Sequence, residues 1–146
     1  MDIDVLTELR FAFLSEMVSI AEDERQSLES NFRSYCEKHI NQDDFVALGV
    51  SIEGEIVSCG FLVVDERPAS PAFPNGLTGT VLNVYTYPKH QRKGYGEAVM
   101  KAIIDESRKR NLSVLTLSAT EAGKRLYEKF GFTELDYTEM KLKIRD

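Results

Sequence analysis

Tryptophan is absent from this chain of 146 residues, and cysteine and histidine occur only twice each. Cys36 and Cys59 lie far apart in the sequence and form no CxxC pair, which predicts buried thiols in a reducing compartment rather than a disulfide framework. His39 and His90 are isolated from each other and from the cysteines, so no metal site is expected. No apolar run approaches the ~20 residues that span a bilayer, so no membrane partner is expected.

An overall basic surface is also lacking. The net charge is -6, which argues against a nucleic-acid partner. Residues 1–88 carry a net -10 and residues 89–146 a net +4. This asymmetry suggests an anionic ligand near the second half and a cationic one near the first, although solvated helix faces alone would also explain it. The start "MDIDVLTELR" has no signal-peptide hydrophobic region, which favours the cytoplasm.

Apolar periodicity predicts one mixed α/β domain over residues 1–146. The first half is predicted to contain helices over 6–20 and 23–40, strands over 44–52 and 55–66 with a Glu53-Gly54 hairpin turn between them, and a loop over 67–79. The second half is predicted to contain a strand over 80–87, a helix over 96–110 and a strand over 112–119. A short helix over 121–130, with Thr120 as its N-cap, and one or two closing strands over 132–144 complete the prediction. This order predicts a largely antiparallel sheet with at least one strand–helix–strand crossover.

The strand over 80–87 is predicted to alternate strictly between two faces. One face would carry Val81, Asn83, Tyr85 and Tyr87, and the other Leu82, Val84 and Thr86.

The stretch "QRKGYG", from Gln91 to Gly96, follows that strand and precedes a helix. Unpaired N–H groups at a helix start, approached closely through glycines, can bind a phosphate. The P-loop pattern GxxxxGK[ST] and the dinucleotide pattern GxGxxG are both absent, since Val99 stands three residues after Gly96. On its own the loop is therefore either a phosphate cradle of another kind or a plain basic connection.

Two motifs together point to a family. "QRKGYG" resembles the Q/R-x-x-G-x-G/A motif of the GNAT superfamily of acyl-CoA-dependent N-acyltransferases. About thirty residues later, "ATEAGKRLYEKFGF" resembles the second signature of that family, A-x-x-x-x-x-x-L-Y-x-x-x-G-F. The resemblance is close over 80–132 and extends to the first half only through the order of elements. It implies a GNAT fold with about four helices and a sheet splayed between its fourth and fifth strands, here with the first family strand truncated or missing.

The resemblance implies that the coenzyme A pyrophosphate binds the N–H groups of the loop, while the pantetheine pairs with a strand edge left free by the splay. It assigns to acetyl-CoA binding Val84, Tyr85, Thr86, Gln91, Arg92, Lys93, Gly94, Tyr95, Gly96, Glu97, Thr120 and Gly123. It makes Tyr127 the general acid that protonates the departing CoA thiolate. A phenol with a reference pKa of about 10 is protonated at pH 7, as an acid must be. Packing alone would also explain a half-buried tyrosine.

The general base is left open. Some family members use a glutamate on the fifth strand, but its counterpart here falls near Leu115, which cannot act as a base. Glu16 and the pair Asp65 and Glu66 are weak substitutes.

The family resemblance places the acceptor over the first two helices and the 67–79 loop. Phe11, Phe13 and Phe73 are candidates for an apolar wall, with Asn83 and Tyr85 for the floor. The acidic first half suits a cationic amine, either a small molecule or a peptide end. The expected function is transfer of acetyl from acetyl-CoA to a primary amine. The alternative is a non-catalytic CoA-binding sensor or interaction module on the same fold. A homodimer is also expected, because dimers are frequent in the family and a short first strand exposes a sheet edge.

Overall fold

The computed structural model describes residues 1–145. In chain order its elements are helix α1 (Ile3–Met17), helix α2 (Glu22–Asn41), strand β1 (Phe45–Ile52), strand β2 (Glu55–Glu66), strand β3 (Leu77–Thr86), a 3-10 turn (Pro88–His90), helix α3 (Tyr95–Lys109), strand β4 (Val114–Thr116) and helix α4 (Lys124–Lys129). Within the described residues no strand precedes α1. The fourth and fifth strands of the family pattern therefore correspond to β3 and β4.

The strands form one mixed sheet in the order β1-β2-β3-β4. The β1–β2 and β2–β3 pairs are antiparallel, and β3 pairs with β4 in parallel through the α3 crossover. The β1–β2 hairpin turns at Glu53 and Gly54, whose φ values of 50° and 83° are those a tight two-residue turn requires. The predicted mixed α/β fold with its crossover is confirmed.

Helices α1 and α2 cover one face of the sheet. Asp2 caps α1 by accepting a hydrogen bond from the Val5 N–H at 2.8 Å. Leu6 and Leu9 then point inward and join Phe45 and Phe61 in a buried cluster. The spacing of three residues between the two leucines makes this stripe, as the sequence predicted. Met17 is exposed, and Ile20, the last residue of the helix predicted over 6–20, lies beyond the end of α1.

Helix α3 covers the opposite face. Its buried residues Val99, Met100 and Ile103 pack on Leu62 and Val81 of the sheet. The close approach depends on Gly60 in β2, since a Cβ there would lie 2.7 Å from Ile103 Cδ1 and 2.8 Å from Val99 Cγ1. A glycine at this position therefore sets the distance between α3 and the sheet.

Gly60→Ala is expected to lower the free energy of unfolding by about 1–3 kcal/mol, the usual cost of overpacking a core. Urea denaturation measures this. The Ile103→Val change removes the methyl that the new Cβ would meet, so the double variant should lose less stability than the two single variants combined. Additive losses would contradict the contact as the cause.

Several predicted boundaries are wrong. Helix α1 covers Ile3–Met17 rather than 6–20, and β3 covers Leu77–Thr86 rather than 80–87, which shortens the predicted 67–79 loop. Strand β4 covers Val114–Thr116 rather than 112–119, and α4 begins at Lys124 rather than at 121. Residues 121–123 form a turn in which Gly123 keeps right-handed dihedrals, with a φ of -87° and a ψ of -15°, and the Lys124 N–H donates to the Thr120 carbonyl at 3.0 Å. The closing strands predicted over 132–144 are not formed, and these residues pair with no strand of the sheet.

Cys36 and Cys59 are both buried and free, and burial raises the pKa of each thiol to about 11. Over residues 1–145, no cluster of three or more His, Cys, Asp or Glu side chains is arranged to hold a metal ion. The same residues include no helix of the length and apolarity required to cross a membrane.

Candidate active site

The loop from Gln91 to Gly96 has the backbone shape of an anion cradle. Arg92 and Gly94 both adopt left-handed conformations, with φ values of 63° and 82°, and Lys93 lies between them. Alternating backbone conformations of this kind turn successive N–H groups toward one side of the chain. Gly94 is also the N-cap position of α3, so the turned groups add to the positive end of the helix dipole.

The Gln91 N–H donates to the Pro88 carbonyl at 3.3 Å and is therefore not free for a ligand, but the N–H groups that follow it in the loop are unused. Within residues 1–145, none of the N–H groups from Arg92 to Glu97 donates to a backbone acceptor. No side chain caps the start of α3 either. Arg92 and Lys93 are exposed and form no ion pair in the part of the chain described. Unsatisfied donors and unpaired cations thus converge on one short loop, which favours an anionic ligand there.

Side chains hold the loop against the end of β3. Gln91 Nε2 donates to the Thr86 carbonyl at 3.1 Å, and the Thr86 hydroxyl lies 2.7 Å from the Ser58 hydroxyl on β2. On the other side, a Cβ on Gly96 would lie 3.6 Å from Leu126 Cδ2 of α4. The loop is therefore fixed between the sheet and α4.

The sheet opens beside this loop. Parallel pairing between β3 and β4 is limited to Thr78–Val114, Gly79–Leu115 and Thr80–Thr116. Strand β3 continues to Thr86, so its segment 81–86 has no β4 partner among the described residues. Unpaired backbone groups on this edge can accept an extended ligand in the manner of an added strand. The splay expected between the family's fourth and fifth strands is present.

A β-bulge in β3 corrects the predicted alternation. Cys59 pairs with Tyr85 but Phe61 pairs with Leu82, so Asn83 and Val84 together face one residue of β2. Asn83 has a φ of 55°, the left-handed conformation of a bulged residue. The extra residue shifts the register, so Val81 lies with Val84 on the α3 side rather than with Asn83 and Tyr85.

After the bulge, the neighbouring side chains Val84 and Tyr85 face opposite sides of the sheet beside the splay. Val84 faces α3, while the Tyr85 side chain faces α1, where its hydroxyl donates to Glu16 Oε1 at 3.3 Å. Burial, followed by the Glu16 carboxylate, raises the pKa of Tyr85 to about 12, so this phenol stays protonated. Any contact of Tyr85 with a ligand on the α3 side must therefore use its backbone.

Helix α4 places Tyr127 beside the loop. Lys129 pairs with Glu97 in the first turn of α3 at 2.9 Å, and Gly131 ends the helix with a φ of 98°. The Phe132 N–H then bonds back to the Tyr127 carbonyl at 3.1 Å, and the two rings pack edge to face at 6.0 Å. A glycine in the left-handed conformation therefore ends α4.

The Tyr127 side chain is half-buried with a free hydroxyl. A Cβ on Gly123 would lie 3.2 Å from Tyr127 Cε2, so a glycine one turn earlier gives the ring its space. The hydroxyl has no hydrogen-bond partner among residues 1–145, and burial raises the pKa of Tyr127 above its usual value. Thr120 Oγ1 accepts from the Gly123 N–H at 3.2 Å, which braces the turn before α4.

The three carboxylates that are candidates for the general base lie at different distances from the splay. Glu16 is exposed and lies against the splayed segment through Tyr85. Asp65 and Glu66 pair with Thr78 and Leu77 at the other end of β3, about 10 Å or more from the splay at 3.3 Å per residue. Only Glu16 is therefore placed for a role near the opening.

The predicted acceptor wall is partly wrong. Phe11 is buried, with the Arg25 guanidinium 5.1 Å from its ring centre, so it cannot line a surface. Phe13 is half-buried and packs edge to face on Tyr85, at 6.5 Å between ring centres.

Sequence reasoning missed Arg10. Its Nη1 donates to Asn83 Oδ1 at 3.3 Å from within the α1–sheet interface, and burial lowers its pKa. The only signal in the sequence was a cation inside the apolar run "LRFAF". A charged residue on a helix ordinarily occupies a solvent-exposed position, so this signal is weak.

A mixed sheet that opens beside an anion-cradling helix start is the arrangement that the resemblance to acyl-CoA-dependent acyltransferases implies. Residues 7–132 match the Acetyltransferase (GNAT) family, and the chain belongs to that family.

Known relatives agree with this assignment. Over 58 residues the chain is 38% identical to the [Ribosomal protein bS18]-alanine N-acetyltransferase of Escherichia coli strain K12, a match that covers 38% of this chain and 39% of that protein. Among solved structures, a GCN5-related N-acetyltransferase from Ralstonia eutropha JMP134 superposes with a TM-score of 0.84 at 23% identity, covering 97% of this chain and 92% of the other. A predicted acetyltransferase with acetyl-CoA from Clostridium acetobutylicum gives 0.84 at 20% identity, covering 96% and 90%. The two structures establish the fold alone.

Proposed function

We propose that this protein transfers an acetyl group from acetyl-CoA to a primary amine by direct attack. The observation that carries the proposal is the meeting of two unused backbone surfaces, the N–H groups of Arg92–Glu97 and the splayed segment 81–86 of β3. Acetyl-CoA has an anionic pyrophosphate and an arm with amide groups. It can therefore bind the loop N–H groups through the pyrophosphate and hydrogen-bond to the edge of β3 through the amides at the same time. The loop cations complement the pyrophosphate charge.

The reaction follows from the placement of these groups. The neutral amine attacks the thioester carbonyl carbon as the C–S bond breaks, and a backbone N–H of β3 stabilises the oxyanion. Tyr127 gives its hydroxyl proton to the departing thiolate and regains one from solvent. The nitrogen loses its extra proton to solvent as the amide forms, which balances the proton that Tyr127 regains. The raised pKa of Tyr127 keeps the acid protonated at neutral pH.

The acceptor approaches from the α1 side of the splay, opposite the side of Val84 and α3. Glu16 and the Tyr85 hydroxyl stand there, and the first half of the chain is acidic. An ammonium group is attracted to that surface and must lose a proton before it can attack, because its reference pKa is near 10. We assign Glu16 as the group that receives this proton.

Glu16→Gln is expected to lower kcat/KM at pH 7 by about tenfold or more, since general base catalysis contributes about 10²–10⁴-fold and solvent replaces part of it. The loss should shrink above pH 10, where the acceptor is already neutral. Initial rates from pH 6.5 to 10.5 measure this. A loss that is the same at every pH would show that Glu16 does not receive the proton.

The function is tested by an acetyl-transfer screen that follows release of the CoA thiol. The acceptors would be polyamines, amino sugars, lysine peptides and peptides with an N-terminal alanine, the last because of the activity named for the E. coli relative. Acetylation of at least one class, verified by mass spectrometry of the acceptor, is expected. No acetylated product from any amine, together with no binding of acetyl-CoA, would refute the proposal.

One observation favours a second function, a CoA-binding module without turnover. Leu115 occupies the β4 position where some family members carry a glutamate, and a Cβ on Gly79 would lie 2.6 Å from Leu115 Cδ2, so this side chain packs in the core. Tight CoA binding without transfer to any amine would support the module. Retention of Tyr127 with a free hydroxyl favours the enzyme.

A further inference from the structure

Arg10 is a half-buried cation without a carboxylate partner. Its guanidinium lies between α1 and the sheet, where Nη1 donates to Asn83 Oδ1 at 3.3 Å. A guanidinium has five N–H donors, and within residues 1–145 no second acceptor receives a hydrogen bond from Arg10. Every other arginine of these residues either pairs with a carboxylate or is exposed to solvent. Arg10 therefore differs from the rest in losing water without gaining a counter-ion.

The free donors of Arg10 suit a carboxylate. Partial burial without a counter-ion is unfavourable for a charge, because the lost hydration is not replaced, and burial accordingly lowers the pKa of Arg10. The planar fork of a guanidinium matches the two oxygens of a carboxylate, which can accept two parallel hydrogen bonds from it. A bound carboxylate would supply both the acceptors and the negative charge that this position lacks.

Arg10 lies on the side of the splay from which the acceptor approaches. Its partner Asn83 belongs to the splayed segment 81–86, and Tyr85, two residues further on, bonds to Glu16. Arg10 and Glu16 are six residues apart on α1, which is about 9 Å along the helix axis at about 1.5 Å per residue. A cation and a carboxylate thus flank the part of β3 on which the thioester is proposed to bind.

Apolar surface accompanies the two charges. Leu82 is 39% exposed and pairs directly with Phe61, a member of the cluster beneath α1, so it lies on that face of the sheet. Phe13, midway between the two charges on α1, is half-buried and packs on Tyr85. A surface of this kind can receive the methylene groups that join an amine to a carboxylate in one small molecule.

We infer that the acceptor is a zwitterionic amino acid, whose carboxylate binds the Arg10 guanidinium while its amine is acetylated. The inference rests on the proposed function and narrows its acceptor. The ammonium group is attracted to Glu16, which receives its proton, and the carboxylate accepts from the N–H groups that Asn83 leaves free. Such a molecule has no net charge, so the net -10 of residues 1–88 does not repel it. A diamine, in contrast, offers no acceptor to Arg10.

Acceptor pairs that differ only in this charge test the inference. The ω-amino acids from glycine to ε-aminocaproate would each be compared with their carboxamides, by kcat/KM at saturating acetyl-CoA. At least one acid is expected to exceed its amide by about tenfold or more, as a hydrogen-bonded charge pair would give. In Arg10→Gln that ratio should fall to about one, while kcat/KM for the amide and the KM for acetyl-CoA stay within about threefold.

Two features of the variants separate charge from structure. Arg10→Gln keeps an amide N–H that can donate to Asn83, so the contact with the bulge can persist without the charge. Arg33→Gln is the matched control, because it removes another cation of the acidic half, one that already pairs with Asp4. The preference for the acid should be unchanged in this control. Circular dichroism and urea denaturation verify that each variant is folded.

The outcomes distinguish this inference from the proposed function. Acetylation of amides or diamines with no preference for any acid would overturn the inference and leave the function standing. So would a preference for O-phosphoethanolamine over every acid. Equal losses for acid and amide in a destabilised Arg10→Gln would assign Arg10 to the bulge alone, which also overturns it.

Binding decides the inference if no amine is acetylated, an outcome in which the proposed function fails. The Nε–Hε NMR signal of Arg10, identified by its loss in Arg10→Gln, would be followed in the presence of CoA. It is expected to move on titration with the amino acids and to stay in place with their carboxamides. The same response to both, or to neither, would overturn the inference.

Discussion

Tyr127→Phe is expected to lower kcat by about a hundredfold or more while the affinity for acetyl-CoA stays within about twofold. General acid catalysis by a positioned side chain contributes about 10²–10⁴-fold, and phenylalanine removes only the proton donor. The ring keeps its contact with Phe132 and its space above Gly123, so the fold should be unaffected. Turnover would be followed by release of the CoA thiol, and affinity by calorimetric titration with CoA.

The dependence of the rate on the leaving group of the acyl donor separates the acid role from a packing role. If Tyr127 protonates the thiolate, acyl donors with better leaving groups, such as aryl thioesters of the same acyl chain, should recover much of the lost rate in Tyr127→Phe. The recovery is expected because a leaving group of low pKa needs no proton. An equal loss with both donors would assign the tyrosine to packing, and an unchanged rate would remove it from the mechanism. Tyr137→Phe is the control, because Tyr137 is 69% exposed and has no assigned role in binding or catalysis, and this variant should turn over normally.

Gly94→Ala is expected to raise the KM for acetyl-CoA by about tenfold, equivalent to about 1.4 kcal/mol of binding. Its φ of 82° is strained for any residue with a Cβ, at a cost of roughly 1–2 kcal/mol, and relief of that strain turns the loop N–H groups away from a common point. The chemical step uses other groups, so kcat at saturating acetyl-CoA should change little.

Gly54→Ala is a matched control for this change. Gly54 has a φ of 83°, and, as at Gly94, a Cβ would meet no atom within 4 Å. Both variants should therefore lose similar stability in urea denaturation, whereas only Gly94→Ala should weaken acetyl-CoA binding. An equal rise in KM in both would mean that loss of stability, rather than the shape of the loop, is the cause.

The part of the site formed by the loop 91–96 and helix α3 was predictable from the sequence, because its conformation depends on residues close together in the chain. The glycines of "QRKGYG" before a helix pointed to the loop directly, and the structure places Gly94 at the N-cap of α3 with a φ of 82°. The apolar stripe of α3 likewise specifies which face meets the sheet. Short-range rules of this kind need no knowledge of distant partners.

Other features depend on long-range contacts that the sequence does not display. The bulge at Asn83 arises from the register between β2 and β3, so strict alternation misplaced Val81. Arg10 was overlooked because its partner Asn83 lies 73 positions away. The predicted strands over 132–144 had the pattern of strands, but these residues pair with no strand of the sheet.

Hydrogen exchange on binding tests the central claim, that one acetyl-CoA molecule occupies both the loop and the splayed strand. The N–H groups of 92–97 have no backbone acceptor in the described chain and should exchange quickly in the free protein. On saturation with CoA, peptides covering 92–97 and 82–86 should both slow by tenfold or more, while the hairpin at 53–54 should not change. Slowing in neither segment, or only at sites remote from both, would contradict the account.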